Sequence, residues 1–194
     1  VFNSHLGDLP KFRGNATPNW AIIKEKNNIP ICFHKMSDKI DEGPIAKKIF
    51  FKIKKTTYIT DIYDWMNRIV PKEFFKLYLM LINKKVILKK QKGKPLITFP
   101  RQETDSRIKW NLSSKEIFNL VRASSSPFSG AYTYFNKIKI KVLKCRIIKP
   151  NFEYFAIPGQ VCFVKNSNPF IATKDNMIEI VKLSENQKED IKIK

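Results

Sequence analysis

The chain has 194 residues, with 37 Lys plus Arg against 17 Asp plus Glu, and its formal charge of +20 excludes an acidic solvating segment. Hydrophobic residues make up 43% and aromatics 12%, enough apolar side chain for a packed interior, which excludes the disordered class. The longest unbroken apolar run, residues 77–82, falls far short of the roughly 18–20 residues of a bilayer-spanning helix, so no membrane partner is expected.

The start of the chain has neither a basic region leading an apolar core nor a Met, so it does not read as a signal peptide and looks like a chain begun mid-protein. Leu9-Pro10, Arg13-Gly14 and Thr17-Pro18 place turn-formers close together, predicting an ordered loop followed by a helix beginning near Pro18. Residues 30–36 form a short apolar run opened by proline, read as a strand, and Asp38, Asp41 and Gly43-Pro44 break it into a turn. Ile49, Phe51 and Ile53 then alternate with lysine inside a second strand over residues 45–53. Between residues 59 and 82, Ile62, Trp65, Met66, Ile69, Val70, Phe74, Leu77, Tyr78 and Leu81 recur at three- and four-residue spacing, predicting an amphipathic helix. Pro71 inside that span predicts a kink or a break.

Gly93, Pro95 and Pro100 punctuate a polar stretch, and a boundary is placed near residue 100. Ser113 with Glu116 three residues later is a capping-box pattern, so a short helix should start at about Ser114. Residues 137–142 alternate lysine with aliphatic residues, as in a strand with one wet face. Further short strands are expected at 159–164, 170–173 and 177–182, giving a small antiparallel barrel or sandwich. The charged tail, 184–194, is expected to fray. Cys32, Cys145 and Cys162 are widely spaced with no C-x-x-C pair, so they read as core thiols in a reducing, cytoplasmic compartment, with no metal site.

The chemistry centres on Asn3 and His5. In an extended segment residues two apart project from the same face. Acyl transfer to an amine passes through an oxyanion that wants a hydrogen-bond donor, while the ammonium must lose protons to a base. An amide and an imidazole supply these functions, and Asp41, on a loop after a strand, is placed to orient the imidazole. Spacing alone leaves such a pattern open to a purely structural reading.

The run from Asn3 through His5, Leu9-Pro10, Phe12-Arg13-Gly14 and Pro18 to Ile22 resembles the N-x-H, L-P-x-aromatic-R-G-x-x-P segment of the 10-formyltetrahydrofolate-dependent formyltransferases. His34-Lys35-Met36 and Ile40-Asp41-Glu42-Gly43 follow as in that family, with Gly7-Asp8 standing where Ser-Leu is commoner. Asp105 to Trp110, Asn119 to Ala123, Pro127 and Gly130-Ala131 resemble the C-terminal domain shared by methionyl-tRNA formyltransferases and nucleotide-sugar N-formyltransferases.

The resemblance implies an α/β chain: a partial Rossmann-like formyltransferase domain over residues 1–98, lacking its N-terminal part, then a small β-rich, OB-like domain over 99–183. It implies Asn3, His5 and Asp41 as catalytic residues and a folate-binding loop carrying Met36, Asp38 and Ile40. Arg13, Arg101, Trp110, Asn119 and Arg122 fall where it suggests substrate contacts. The implied donor is 10-formyltetrahydrofolate and the acceptor partner a nucleotide-linked amino sugar, since Pro18 to Ala21 and Asn119 to Ala123 look more like the sugar enzymes. Methionyl-tRNA is the alternative acceptor, a non-catalytic RNA- or protein-binding fragment is the alternative of another class, and a homodimer stays open. Arg13 has two readings, an anion ligand or a brace of its own loop, and His34 reads as a structural histidine.

Overall fold

The computed structural model describes residues 1–184; the tail expected to fray lies, apart from Ser184, outside the described residues. The chain divides into two compact units, Val1–Arg101 and a second from Gln102 onward.

The first unit is organised by a three-stranded antiparallel sheet of order β1-β3-β4, formed by β1 (Phe2–Leu6), β3 (Asn28–Lys35) and β4 (Ile45–Lys52). Pro30 is tolerated in the central strand because β1 pairs only with residues 31–35, so the missing N–H interrupts no ladder on that side. The short β2 (Arg13–Gly14) pairs in parallel with β5 (Ile97–Thr98) and joins the loop after β1 to the segment that closes the unit.

Helix α1 (Thr17–Ile23) carries Pro18 in its first turn, where a missing N–H costs little. Helix α2 (Ile59–Ile82) is one helix of 24 residues with Pro71 inside, so the expected break does not occur. It lies on the sheet through Phe74 against Phe33, ring centroids 5.6 Å apart, and Trp65 against Phe51 at 5.2 Å. These contacts supply the burial that offsets the hydrogen bond lost at the proline. Tyr78 and Leu81, on the apolar spacing of the helix, are exposed.

The second unit wraps a five-stranded antiparallel sheet of order β6-β7-β10-β9-β8 on helix α3 (Ser114–Ser124). Its strands are β6 (Ala131–Phe135), β7 (Ile138–Ile148), β8 (Val161–Lys165), β9 (Asn168–Ala172) and β10 (Met177–Leu183). Ile117 and Val121 of α3 pack with Val142, Cys145, Ile178 and Ile180 in its core. Lys137, expected in the strand, sits instead with Asn136 in the hairpin turn, both at positive φ (69° and 47°), the geometry that matches strand twist in two-residue hairpins. The predicted capping box forms: the Ser113 hydroxyl accepts from the Glu116 N–H, and the Glu116 carboxylate accepts from the Ser113 N–H at 3.0 Å.

Among the described residues no helix is long and apolar enough to cross a membrane. Cys32 and Cys145 are buried, and burial pushes their thiols up to about 11 and about 12; Cys162 is half-buried rather than a core thiol.

Candidate active site

The antiparallel register of β1 on β3 builds the floor of the site. Asn3 pairs directly with His34 and His5 with Cys32, so Asn3, His5 and His34 share one face of the sheet. The Asn3 amide nitrogen lies 3.4 Å from His34 Nε2, and the two imidazole rings meet edge to face with centroids 6.3 Å apart.

The loop after β3 brings the carboxylate over this face. Asp41 adopts a left-handed conformation (φ 51°), which aspartate tolerates better than most residues. Its Oδ2 stands 3.4 Å from His5 Nδ1 and its Oδ1 stands 3.4 Å from His34 Nε2. The loop is held from below by Gln91, whose amide donates to the carbonyls of Asp41 at 2.6 Å and Gly43 at 2.8 Å. Asp41 Oδ2 also accepts the Gly14 N–H at 3.0 Å. Only glycine serves at position 14: its φ is +99° and a Cβ would lie 2.3 Å from the Thr98 carbonyl oxygen.

Proton positions follow from the acceptors around the rings. His5 Nε2 donates to the Phe12 carbonyl at 2.6 Å, and His34 Nδ1 donates to the Lys35 carbonyl at 3.1 Å, because a carbonyl can only accept. An imidazole in its neutral form at either position therefore turns a lone pair toward Asp41. A carboxylate between two lone-pair nitrogens is short of a proton, and one proton entering the cluster converts a repulsive contact into a charge-assisted hydrogen bond. Burial pushes the His5 imidazole below its ordinary value of 6.5, partly opposed by its bond to Phe12 and by Asp41, and reinforced by His34. Gly7 is the floor under this ring, since a Cβ there would stand 2.4 Å from His5 Nε2. The Gly7-Asp8 departure thus accompanies the close packing of His5 in its loop.

The remaining expected residues fall into three places. Met36, Asp38 and Ile40 lie on the exposed loop between β3 and Asp41, with Met36 54% and Ile40 72% exposed. Asp38 lines a cavity of about 450 Å³ with Arg13, Ser37, Lys39 and Gln91. Two uncovered apolar side chains flanking a carboxylate suit a flat, nitrogen-rich ring, so the residues present fit a pterin. Arg13 points its guanidinium at Gln91 Oε1 (3.2 Å from Nε, 2.8 Å from Nη2) and stands 3.7 Å from Glu42, which places it as a brace of the Asp41 loop. Arg101 closes the first unit and is half-buried.

In the second unit Asn119 and Arg122 are both buried and join on α3, Arg122 donating to the Asn119 amide oxygen at 2.6 Å, while Trp110 packs on the core and donates to the Thr133 hydroxyl at 3.0 Å. The structure thus unites Asn3, His5 and Asp41, and adds His34 and Gln91. Sequence reasoning gives His34 only a structural role. The signal for it lies in strand register, which puts the even positions of residues 30–36 on the face of Asn3 and His5. Nothing in the sequence marks Gln91, which acts across 50 positions.

Residues 101–194 match the family described as formyl transferase, C-terminal domain. The chain is 30% identical over 188 residues to the bifunctional polymyxin resistance protein ArnA of Wigglesworthia glossinidia brevipalpis, a match that covers 93% of this chain and 27% of that protein. An N-formyltransferase from Helicobacter canadensis, solved with folinic acid and dTDP-3-aminofucose, superposes with a TM-score of 0.75 at 21% identity, covering 94% of this chain and 66% of that one. HypX from Aquifex aeolicus in complex with tetrahydrofolic acid gives 0.74 at 18% identity over 94% of this chain and 31% of that one. A methionyl-tRNA formyltransferase from Clostridium thermocellum gives 0.63 at 21% identity over 78% and 64%. The chain spans about a quarter of the curated relative's length, its residues 101–194 match the formyl transferase C-terminal domain, and its fold is shared with solved formyltransferases.

Proposed function

We propose that the protein transfers a formyl group from 10-formyltetrahydrofolate to the amine of a nucleotide-linked amino sugar. The observation that carries this reading is the Asp41 carboxylate standing between two imidazole nitrogens, both at 3.4 Å, beside the Asn3 amide. Support for the donor and acceptor classes comes from the relatives: HypX is solved with tetrahydrofolic acid and the Helicobacter canadensis enzyme with folinic acid and a dTDP-linked amino sugar.

The donor, held by the loop bearing Met36, Asp38 and Ile40, supplies an activated one-carbon acyl group when bound. Asn3 donates its amide N–H to the formyl oxygen as negative charge grows there, giving up the long contact to His34. The amine's proton enters the lone-pair cluster of His5, Asp41 and His34, where each ring has already committed its other nitrogen to a main-chain carbonyl, and its loss from the amine balances the proton that N10 of the departing tetrahydrofolate would gain as its bond to the formyl carbon is replaced by the bond to the amine. Gln91 and Gly14 hold the carboxylate in register so that no reorganisation accompanies proton uptake.

The test is formyl transfer by the intact protein to a dTDP-linked amino sugar and, in parallel, to methionyl-tRNA, each with wild type and His5→Ala. Transfer to the sugar amine that falls by about 10²–10⁴-fold in the variant, the range for loss of a general acid–base group, is the expected result. Transfer to the tRNA alone would overturn the acceptor class, and unchanged rates in His5→Ala would overturn the site.

A further inference from the structure

The first unit carries a second feature that the proposed chemistry does not use. A cleft of about 920 Å³ lies between residues 8–11, the start of β4 and the segment 89–94, and half of the residues lining it are lysines. Two of these are paired: Lys48 donates to Asp8 and to the Leu9 carbonyl, both at 2.7 Å, and Lys47 bonds Glu73. Lys11, Lys89, Lys90, Lys92 and Lys94 form no ion pair among the described residues, and the cleft's one acidic side chain, Asp8, is already engaged by Lys48.

This cleft is built rather than accidental. The 89–94 segment is pinned at both ends, by the reciprocal bonds of Ile45 and Lys89 (2.8 and 2.9 Å) and by the Leu96 N–H to the Pro10 carbonyl at 3.4 Å. Five unneutralised ammonium groups facing one space repel each other, and a chain of anions relieves that repulsion.

Shape and position narrow the ligand. The volume is that of a small-molecule pocket, too small for a nucleic-acid duplex, and the lining holds no aromatic ring to stack a base and no arginine to grip a phosphate in two-pronged fashion. Lysines as separate point charges suit separate carboxylates. The cleft shares Lys90 and Gln91 with the smaller cavity under the Asp38 loop, and Gln91 is the residue that holds Asp41. A ligand seated on that loop has a direct way into the lysines.

We infer that the lysine cleft receives a short poly-γ-glutamate chain carried by the folate donor, continuous with the cavity beneath the Asp38 loop. This rests on the proposed use of a folate donor, and the experiment separates the two. Binding of 5-formyltetrahydrofolate in its mono- and pentaglutamyl forms, and of free penta-γ-glutamate, is measured by calorimetry on the intact protein and on the triple variant Lys89→Gln, Lys92→Gln, Lys94→Gln, whose exposed side chains make no ion pair that the fold needs. The pentaglutamyl form is expected to bind about tenfold tighter than the monoglutamyl form, each exposed ion pair adding little by itself. That advantage should vanish in the triple variant and in roughly 0.5 M salt, with the monoglutamyl affinity unchanged.

Equal affinities of the two folates, or an advantage that survives in the variant, overturn the inference and leave the formyl-transfer reading standing. Absence of binding by either folate overturns both. A short RNA that binds in a lysine-dependent manner while penta-γ-glutamate does not bind overturns the inference in favour of a nucleic-acid backbone.

Discussion

Two loop aspartates, Asp41 in the first unit and Asp175 in the second, differ in what faces their oxygens. Asp175 is met by donors: the Ser114 N–H at 2.7 Å and the Thr173 hydroxyl at 3.1 Å. Burial alone would raise its carboxyl, but those bonds, with further ones from the Ser114 and Asn176 side chains, outweigh burial and hold it below the ordinary carboxylate value. Asp41 receives one main-chain N–H, from Gly14, and otherwise confronts two nitrogens whose own protons are committed elsewhere. A carboxylate ringed by donors is finished and structural. A carboxylate that faces two ring nitrogens is open to further contacts, and it is the one that the proposed chemistry uses.

The sharpest way to break this contrast is Asp41→Asn. Asparagine keeps the left-handed backbone, accepts the Gly14 N–H and donates its amide to one facing imidazole, so the fold should hold within about 1 kcal/mol by thermal or urea denaturation. Formyl transfer should fall by about 10²–10⁴-fold, because the negative charge that orients the two imidazoles and supports their proton uptake is gone. A variant that transfers at near-normal rate would show the acceptor-facing carboxylate to be another structural aspartate.

A smaller effect is the acid response of the first unit. His5 titrates lower in the folded chain than at its ordinary value of 6.5, with burial the largest cause. Below pH 6.5 the unfolded chain therefore binds a proton that the folded chain refuses, so stability is full above pH 6.5 and declines as the pH falls toward the folded value. The slope is at most about 1.4 kcal/mol per pH unit. Denaturation midpoints between pH 7.5 and 5 should show this decline, and His5→Gln should flatten it; an unchanged slope in the variant would assign the decline to other groups. Asp41→Asn should extend the decline to lower pH, since it removes the charge that supports His5 protonation.

How much of this was legible in the sequence depends on the range over which each feature acts. The capping box at Ser113 and Glu116, the helix start at Pro18 and the 59–82 helix are local and follow from spacing. The break at Pro71 does not follow, because Phe33 and Phe51 supply packing that one-dimensional periodicity cannot show. The pairing of the first unit's strands likewise does not follow from spacing along the chain, and its antiparallel register is what aligns His34 with Asn3. Asn3, His5 and Asp41 were readable as chemical types. Gln91 and the lysine cleft depend on where the chain returns after α2, a distance at which sequence carries no signal.

The mildest effect belongs to the other aspartate. The start of α3 is clasped twice, locally by Ser113 with Glu116 and across the unit by Asp175, which accepts the N–H of the buried Ser114. Asp175→Ala leaves that N–H without its acceptor, while the Thr173 hydroxyl keeps the Asn176 carbonyl at 2.8 Å, at a cost of about 1 kcal/mol in a neutral-pH denaturation curve, the typical loss for a helix cap. Because the Asp175 carboxyl is held below its ordinary value, the stability it contributes is present above that ordinary value and is lost as the pH falls through the folded one. The gap between wild type and variant should therefore close only at strongly acid pH, in the same direction as the His5 decline but in a lower window. A gap that closed together with the His5 decline, above pH 5, would mean that Asp175 too answers to an imidazole and that donors alone do not define its role.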